Sequence, residues 1–327
     1  MRALEQPAFR VSQLVRWIYQ RGASSFEEMT DLPKALRGQL AARYSLALPR
    51  IVARQQSADG TRKYLVRFSD GVSVETVGLP TNDRLTVCFS TQAGCAMGCR
   101  FCATGQGGLI RGLGAGEMAA QALLVAYDYG LRVTNAVAMG QGEPFADYAA
   151  TLGGLRLIND PDSLGIGARH ITVSTCGLLP GIRRLASEPE QFTLAVSLHS
   201  AVQATRDRLM PGVRTYPLTA LRSELSAYFA TSGRRPTLEY ALVGGVNDTA
   251  EELAALVAFT RGLPFHINLI PVNPVAGTQT VKPKAQRVEA FRRALSDAGV
   301  ETSIRVERGA DIEAACGQLK QRLDPEE

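Results

Sequence analysis

Cys95, Cys99 and Cys102 lie in the run Cys95-Ala96-Met97-Gly98-Cys99-Arg100-Phe101-Cys102, a C-x3-C-x2-C spacing on a glycine-containing segment. Three thiolates so spaced can each bind one iron of a [4Fe-4S] cluster, which leaves the fourth iron open to a substrate or cofactor. Zinc normally asks for four closed ligands, often two separated C-x2-C pairs, and no second pair lies nearby. Zinc stays possible if Cys88 or a histidine completes the shell. Cys88, Cys176 and Cys316 stand singly. Six cysteines with three inside eight positions are too few and too clumped for a secreted disulfide scaffold, and suit reduced thiols that do chemistry.

Such a loop needs a scaffold, and the chain supplies one. Short β-rich runs at Leu85 to Phe89, Asn135 to Met139, His170 to Ser174, Thr193 to Leu198, Thr237 to Val243 and His266 to Pro271 alternate with helical stretches. The helices fit at Gly116 to Tyr129, Tyr148 to Ile158, Leu178 to Ala186, Leu218 to Ala230, Thr249 to Arg261 and Lys284 to Ala298. Six β/α repeats predict an α/β fold with a parallel sheet, either doubly wound or a partial barrel. Both bind ligands at the carboxyl ends of their strands. The cysteine run follows the first strand, Gly140-Gln141-Gly142-Glu143-Pro144 the second, Ser174 ends the third, Ser197-Leu198-His199 the fourth, and Asn273 follows the sixth. Any one of these could be an ordinary turn or core residue. Four polar features at separate strand ends are harder to dismiss.

Before the repeats, residues 1 to about 50 read as helical, with Val11 to Ile18 at helical spacing and Ser25-Phe26-Glu27-Glu28 as a capping segment. A further helix is expected from Asp31-Leu32-Pro33-Lys34, with Asp31 as its cap and Pro33 in its first turn. Lys63 to Phe68 and Val72 to Gly78 flank Ser69-Asp70-Gly71, a β-hairpin signature. The expected division is an accessory domain over 1–80, a barrel over 81–307 and a C-terminal segment over 308–327.

The 327 residues are 45% hydrophobic and 20% charged, an ordinary globular composition that excludes collagen-like, coiled-coil and disordered readings. The longest apolar candidate, Met118 to Tyr127, is about half the roughly 20 residues that a membrane span needs. No secretory signal is legible, and a cytoplasmic location without a membrane partner is expected. The net charge is +5, yet Met1 to Lys63 alone carries eleven basic and five acidic residues. A basic amino-terminal module suggests a polyanionic partner such as RNA, with Arg16 and Arg21 as candidate phosphate contacts. A solvated basic face is the plainer alternative.

With Phe101 inside it, the cysteine run matches C-x3-C-x-aromatic-C, and the chain here resembles the radical S-adenosylmethionine (SAM) superfamily. That resemblance implies a partial (β/α)6 barrel behind a small helical and β-hairpin accessory domain. It also implies a [4Fe-4S] cluster on Cys95, Cys99 and Cys102, whose open iron chelates SAM and whose electron splits SAM into a 5′-deoxyadenosyl radical. Gly142, Glu143, Ser174, Ser197, Leu198, His199 and Asn273 become candidate SAM contacts. More narrowly, the chain resembles the RlmN/Cfr family of adenosine methyltransferases over nearly its whole length. The segments carrying this include Arg16-Trp17-Ile18-Tyr19-Gln20-Arg21-Gly22, Val74-Glu75-Thr76-Val77, Gly245-Val246-Asn247-Asp248 and Ala314-Ala315-Cys316-Gly317-Gln318-Leu319.

The family resemblance gives the single cysteines their duties. Cys316 takes a methyl group from one SAM, a second SAM yields the radical that removes a hydrogen from it, and the resulting methylene radical adds to adenine. Cys88 then attacks the Cys316 sulfur, releasing the methylated base and leaving a disulfide. Glu75 matches the proton acceptor. The implied product is 2-methyladenosine in 23S ribosomal RNA and in transfer RNA, and the implied electron donor is of the flavodoxin and flavodoxin reductase kind. Methylation at C8 of the same adenosine, as in Cfr, is the near rival, and a non-catalytic iron-sulfur or zinc RNA-binding protein the distant one. Cys176 has no family role, and core packing is expected for it. Three positions depart from the family pattern: Gln141 where Met is common, Val213 where Asn is frequent, and Ala310 in place of an Asp.

Overall fold

The computed structural model describes residues 4–273 and 280–319, and over them the β/α alternation is built much as its pattern predicts. Helices α1 (Phe9–Tyr19) and α2 (Lys34–Ala41) come first, followed by the antiparallel strands β1 (Arg50–Gln56), β2 (Arg62–Arg67), β3 (Ser73–Thr81) and β4 (Arg84–Cys88). β5 (Gln92–Gly94) and β6 (Leu109–Gly112) form a separate ribbon that brackets the cysteine run and the short α3 (Ala103–Gln106). After α4 (Ala115–Tyr129) the chain alternates β7 (Asn135–Ala138), α5 (Tyr148–Asn159), β8 (Ile171–Thr175), α6 (Leu179–Ala186) and β9 (Thr193–Ser197). It continues through α7 (Gln203–Leu209), α8 (Leu218–Ser232), β10 (Thr237–Leu242), α9 (Ala250–Thr260), β11 (His266–Pro271), α10 (Ala285–Asp297) and β12 (Glu301–Ile304). The sheet order is β1-β2-β3-β4-β7-β8-β9-β10-β11-β12, parallel from β4 onward.

Strand alternation decides between the two expected architectures. On β10, Leu238, Tyr240 and Leu242 join the main apolar core beneath the helices, while Glu239 and Ala241 face a central cavity. β8 does the same with Val173 and Ser174, and β9 with Val196 and Ser197. With period 2, one face of the sheet packs on helices and the other encloses a binding space. This is a partial barrel of six β/α units, with β12 as a seventh parallel strand at its edge. The pattern reading missed β1, the β5–β6 ribbon, α3, α7 and β12. β1 is exposed along most of its length, so it lacks an apolar alternation. α7 has only seven residues.

The first helices have a core of their own, built from Ala23, Phe26, Met29, Leu32, Leu36 and Leu40. Ser25 and Glu28 form the capping box that the sequence suggests, on a single 3-10 turn. Asp31, by contrast, does not cap α2. Pro33 occupies that position, and Asp31 Oδ1 instead accepts the Trp17 Nε1 hydrogen at 2.6 Å. Asp31 is thus engaged across the turn by the indole, and the first turn of α2 starts at Pro33 instead.

Gln121, wholly buried on α4, ties the hairpin to the barrel. Its Oε1 accepts from Thr76 Oγ1 at 2.6 Å and Ser90 N at 2.8 Å, and its Nε2 donates to the carbonyls of Ser90 and Glu117. Gln121→Leu strands the Ser90 amide and the Thr76 hydroxyl without partners. Chemical denaturation should show a loss of about 2–4 kcal/mol, from two unsatisfied buried groups.

Candidate active site

The cysteine loop is shaped by close backbone contacts. Gly94 has φ +75°, and a Cβ there would fall 2.0 Å from the Gly108 carbonyl oxygen, so only glycine lets the ribbon close. The Cys95 amide donates to Gly108 O, Arg100 N to Leu209 O, and Gly212 N to Met97 O, which docks the loop on the end of α7. Phe101 meets the His199 ring edge-on at 4.6 Å between centroids. Cys95, Cys99 and Cys102 thereby line one cavity at the carboxyl ends of the strands. Among the described residues no three Cys, His, Asp or Glu side chains converge as a single-ion site requires. A [4Fe-4S] cube takes each thiolate on a different iron and asks only that the three face one space, so this donor set fits such a cluster. Burial pushes the Cys95 thiol up to about 12 and raises Cys102 as well. Thiolates here call for a cationic partner.

The same cavity is lined by Gly142, Glu143, Ser174, Ser197 and His199. Glu143 is 1% exposed, with Oε1 accepting from Phe145 N at 3.0 Å and Oε2 from Cys176 N at 2.6 Å. Burial raises its carboxyl above the ordinary range, so a bound ammonium would restore the charge. His199 sits in a left-handed conformation at φ +54°, its Nδ1 accepts from Ala241 N, and burial, with Arg206 assisting, lowers it to about 3. It is a neutral wall, not an acid. Asn273 is not in this cavity but in the adjoining one that contains Cys88; it is buried, and its Oδ1 has no partner among the described residues, an orphaned acceptor of the kind a ligand satisfies.

Leu198 departs from this set. Its side chain lies in the core beneath the helices and its amide is taken by Glu239 O, because period 2 turns it away from the face that Ser197 occupies. Cys176, expected to be core, lines the cavity next to Cys99. Gln141 is buried with Oε1 unpartnered among the described residues, and Val213 belongs to the same apolar cluster as Cys99 and Phe101.

Cys316 stands where this cavity meets a second one. Together with Gly317, Cys102, Thr104, Met139 and Arg305 it lines both, and Cys88 lines the second only. All six cysteines are free thiols. Burial pushes Cys88 up to about 12, with Cys316 beside it acting the same way and Arg305 opposing. The Arg305 guanidinium is raised above its ordinary range chiefly by Cys316, and further by Glu239 and Cys88. Sequence reading missed Arg305 and Glu239. An acid between Leu238 and Tyr240 on an apolar strand was the available signal for Glu239.

The segment carrying Cys316 is fastened at both ends. Gly309 N donates to Asp59 Oδ2, Ala58 N to Asp311 Oδ2, and Lys63 Nζ to Glu313 O at 3.3 Å. Beyond Cys316, Ala103 N donates to Gly317 O at 2.7 Å and Thr104 Oγ1 to Leu319 O at 2.6 Å. Glu75 does not line either cavity. It is 5% exposed on β3 and pairs with Lys63 at 3.3 Å, the same ammonium that holds Glu313 O.

Comparison with known proteins accords with this geometry. Residues 1–46 match the ribosomal RNA large subunit methyltransferase N-terminal domain, and residues 89–259 match the radical SAM superfamily. The chain is 46% identical over 319 residues to a protein of Gloeobacter violaceus named "Probable dual-specificity RNA methyltransferase RlmN", covering 97% of this chain and 90% of that one. A like-named protein of Geobacillus kaustophilus is 45% identical, with 99% and 89% covered. The chain belongs to the RlmN family of radical SAM methyltransferases. A solved radical SAM methyltransferase from Sphaerobacter thermophilus superposes with a TM-score of 0.91 at 44% identity, covering 97% of this chain and 94% of that one.

Lys63→Met removes the cation from a buried pair and one tie of the Cys316 segment. It should cost about 3 kcal/mol in denaturation, because a buried carboxylate loses the ammonium 3.3 Å from it. Limited proteolysis should then cut first between Gly309 and Leu319.

Proposed function

We propose that this enzyme methylates C2 of an adenosine in 23S ribosomal RNA, and in transfer RNA, with Cys316 as the methyl carrier. The observation that supports this most directly is the position of Cys316 on the wall between a cavity lined by three thiols and a cavity containing Cys88. A sulfur there can receive a group from one side and pass it to the other without moving far.

Cys95, Cys99 and Cys102 would hold the cluster. Glu143, Ser174 and Ser197 would hold SAM, Leu198 would contribute through its backbone alone, and Asn273, which lines the second cavity, would reach SAM only where the two cavities join. When bound, cluster and SAM supply one-electron chemistry that yields a carbon radical able to take hydrogen from a methyl group. Cys316 Sγ accepts the methyl carbon of a first SAM by displacement, then presents it, as S-methylcysteine, toward the second cavity. Arg305 keeps a fixed positive charge beside both sulfurs throughout. The methylene carbon on Cys316 would bond adenine C2, the adduct's unpaired electron would return to the cluster, and Glu75, which is held by Lys63 and lines neither cavity here, would have to be reached by the adduct to take the ring proton. Cys88 then attacks Cys316 Sγ and frees the base, leaving a disulfide for the next reductant to open. The electron comes from an external carrier of the flavodoxin kind. No described helix is long and apolar enough to cross a membrane, and a cytoplasmic location suits the RNA substrates.

The amino-terminal module would position RNA, and the two arginines that the sequence suggests for this each already have a partner. Arg16 is paired with Asp162 at 2.7 Å, and Arg21 lies 4.2 Å over the Trp17 ring and 3.9 Å from Asp31. Lys34, Arg43 and Arg50 are exposed and make no ion pair among the described residues. Charge reversal at these three should weaken RNA binding and flatten its salt dependence, by about one unit of slope per lost phosphate contact. Arg16→Glu should do less.

Two thiol substitutions test the scheme. Cys316→Ala should abolish methyl transfer yet retain iron after anaerobic reconstitution. Cys88→Ala should accumulate a nuclease-sensitive protein-RNA adduct on denaturing gels, absent from the double variant. Normal turnover by Cys88→Ala without an adduct would end this reading. In the wild type, a Cys88 thiol near 12 is mostly protonated at neutral pH. Its thiolate fraction, and with it the rate of adduct resolution, should rise about tenfold per pH unit between pH 7 and 9. A flat profile would assign resolution to another group.

A further inference from the structure

Arg206, on α7, is fully buried at 0% exposure. Its Nη2 donates to the Cys176 carbonyl at 2.7 Å, while Nε and Nη1 find no partner among the described residues. The nearby acids are engaged elsewhere. Asp207 Oδ1 accepts from Gln203 Nε2, and the two Glu143 oxygens accept the Phe145 and Cys176 amides. A guanidinium removed from water without an anion is among the costliest things a fold can hold, and burial pulls its pKa below the ordinary arginine range. Its surroundings show what could compensate. Cys176, which it grips, packs against Cys99 and lines the cavity that the three loop cysteines share.

We propose that Arg206 is the built-in counter-charge of the thiolate-ligated cluster, holding the reduced form within reach of a biological electron donor. This rests on the cluster assignment made under the proposed function. Three thiolates around a [4Fe-4S] core of charge two plus leave one net negative charge. Adding one electron from a one-electron donor makes it two. A fixed cation in a buried, low-dielectric site stabilises the second state more than the first, and so raises the reduction potential. The same charge is uncompensated when the cluster is absent.

The test compares wild type, Arg206→Lys and Arg206→Met by three readouts: a potentiometric titration of the reconstituted cluster followed by electron paramagnetic resonance, thermal melting of the metal-free protein, and SAM binding. The proposal expects Arg206→Met to titrate at a more negative potential and Arg206→Lys to stay close to wild type. Metal-free Arg206→Met should melt at or above the wild-type temperature, since it sheds an unpaired buried charge, and SAM affinity should hold. An unchanged potential with a lowered metal-free melting temperature would make Arg206 a packing residue and overturn the proposal. So would an unchanged potential with SAM binding weakened roughly tenfold, which would assign the guanidinium to the SAM carboxylate. Wild type that takes up no iron would remove the cluster assignment itself, and this proposal with it. That outcome is told apart from the others because it needs no variant.

Discussion

The fastening of the C-terminal segment is the constraint on which the site depends. Without it, Cys316 would sit on a surface tail. Three hydrogen bonds from the β1–β2 turn and β2, through Asp59, Ala58 and Lys63, hold the approach to Cys316, and two from the cysteine loop, through Ala103 and Thr104, hold Gly317 and Leu319 just beyond it. The accessory hairpin and the cysteine loop are distant in sequence, so one short segment reads the position of both. A displacement of either moves the sulfur off the wall between the two cavities. Carrying a group across such a wall requires placement of the reacting atoms to within a fraction of an ångström.

Electrostatics is then set by that placement. The site is buried, and burial alone would keep its thiols protonated and its carboxyls neutral, as the raised Cys88, Cys95, Glu143 and Glu239 groups show. Positive charge is supplied at selected points. Arg305 stands between Cys316, Cys88 and Glu239, Lys63 beside Glu75, and Arg206 behind the cysteine loop. Each cation is itself expensive to bury, and each lies against a thiol, a carboxylate or a carbonyl of the site.

The fold was largely legible, since all six barrel strands and their helices announce themselves by apolar periodicity and by glycine or proline at their ends. The cysteine run and the polar strand ends were legible too, because their chemistry resides in a few adjacent residues. Lys63, Glu239, Arg305 and Arg206 were not. Each acts through a partner brought to it by the sheet or by a crossing loop, and nothing within a few residues of Arg305 or Arg206 distinguishes it from the many arginines of a basic chain. Leu198 and Asp31 show the opposite error, in which a local motif suggests a role that the strand face or a neighbouring indole then denies. Arg16 and Arg21 look available in sequence, but Asp162 and Trp17 engage them from elsewhere.

The central claim is that a methyl group crosses from SAM to an adenine ring carbon by way of Cys316. Mass spectrometry of nucleosides from 23S ribosomal RNA and transfer RNA, incubated anaerobically with reconstituted enzyme, SAM and a reductant, tests it most directly. The account predicts 2-methyladenosine, formed by wild type and absent with Cys316→Ala. Exclusive 8-methyladenosine would contradict the assigned ring position, and 2-methyladenosine formed undiminished by Cys316→Ala would contradict the account as a whole.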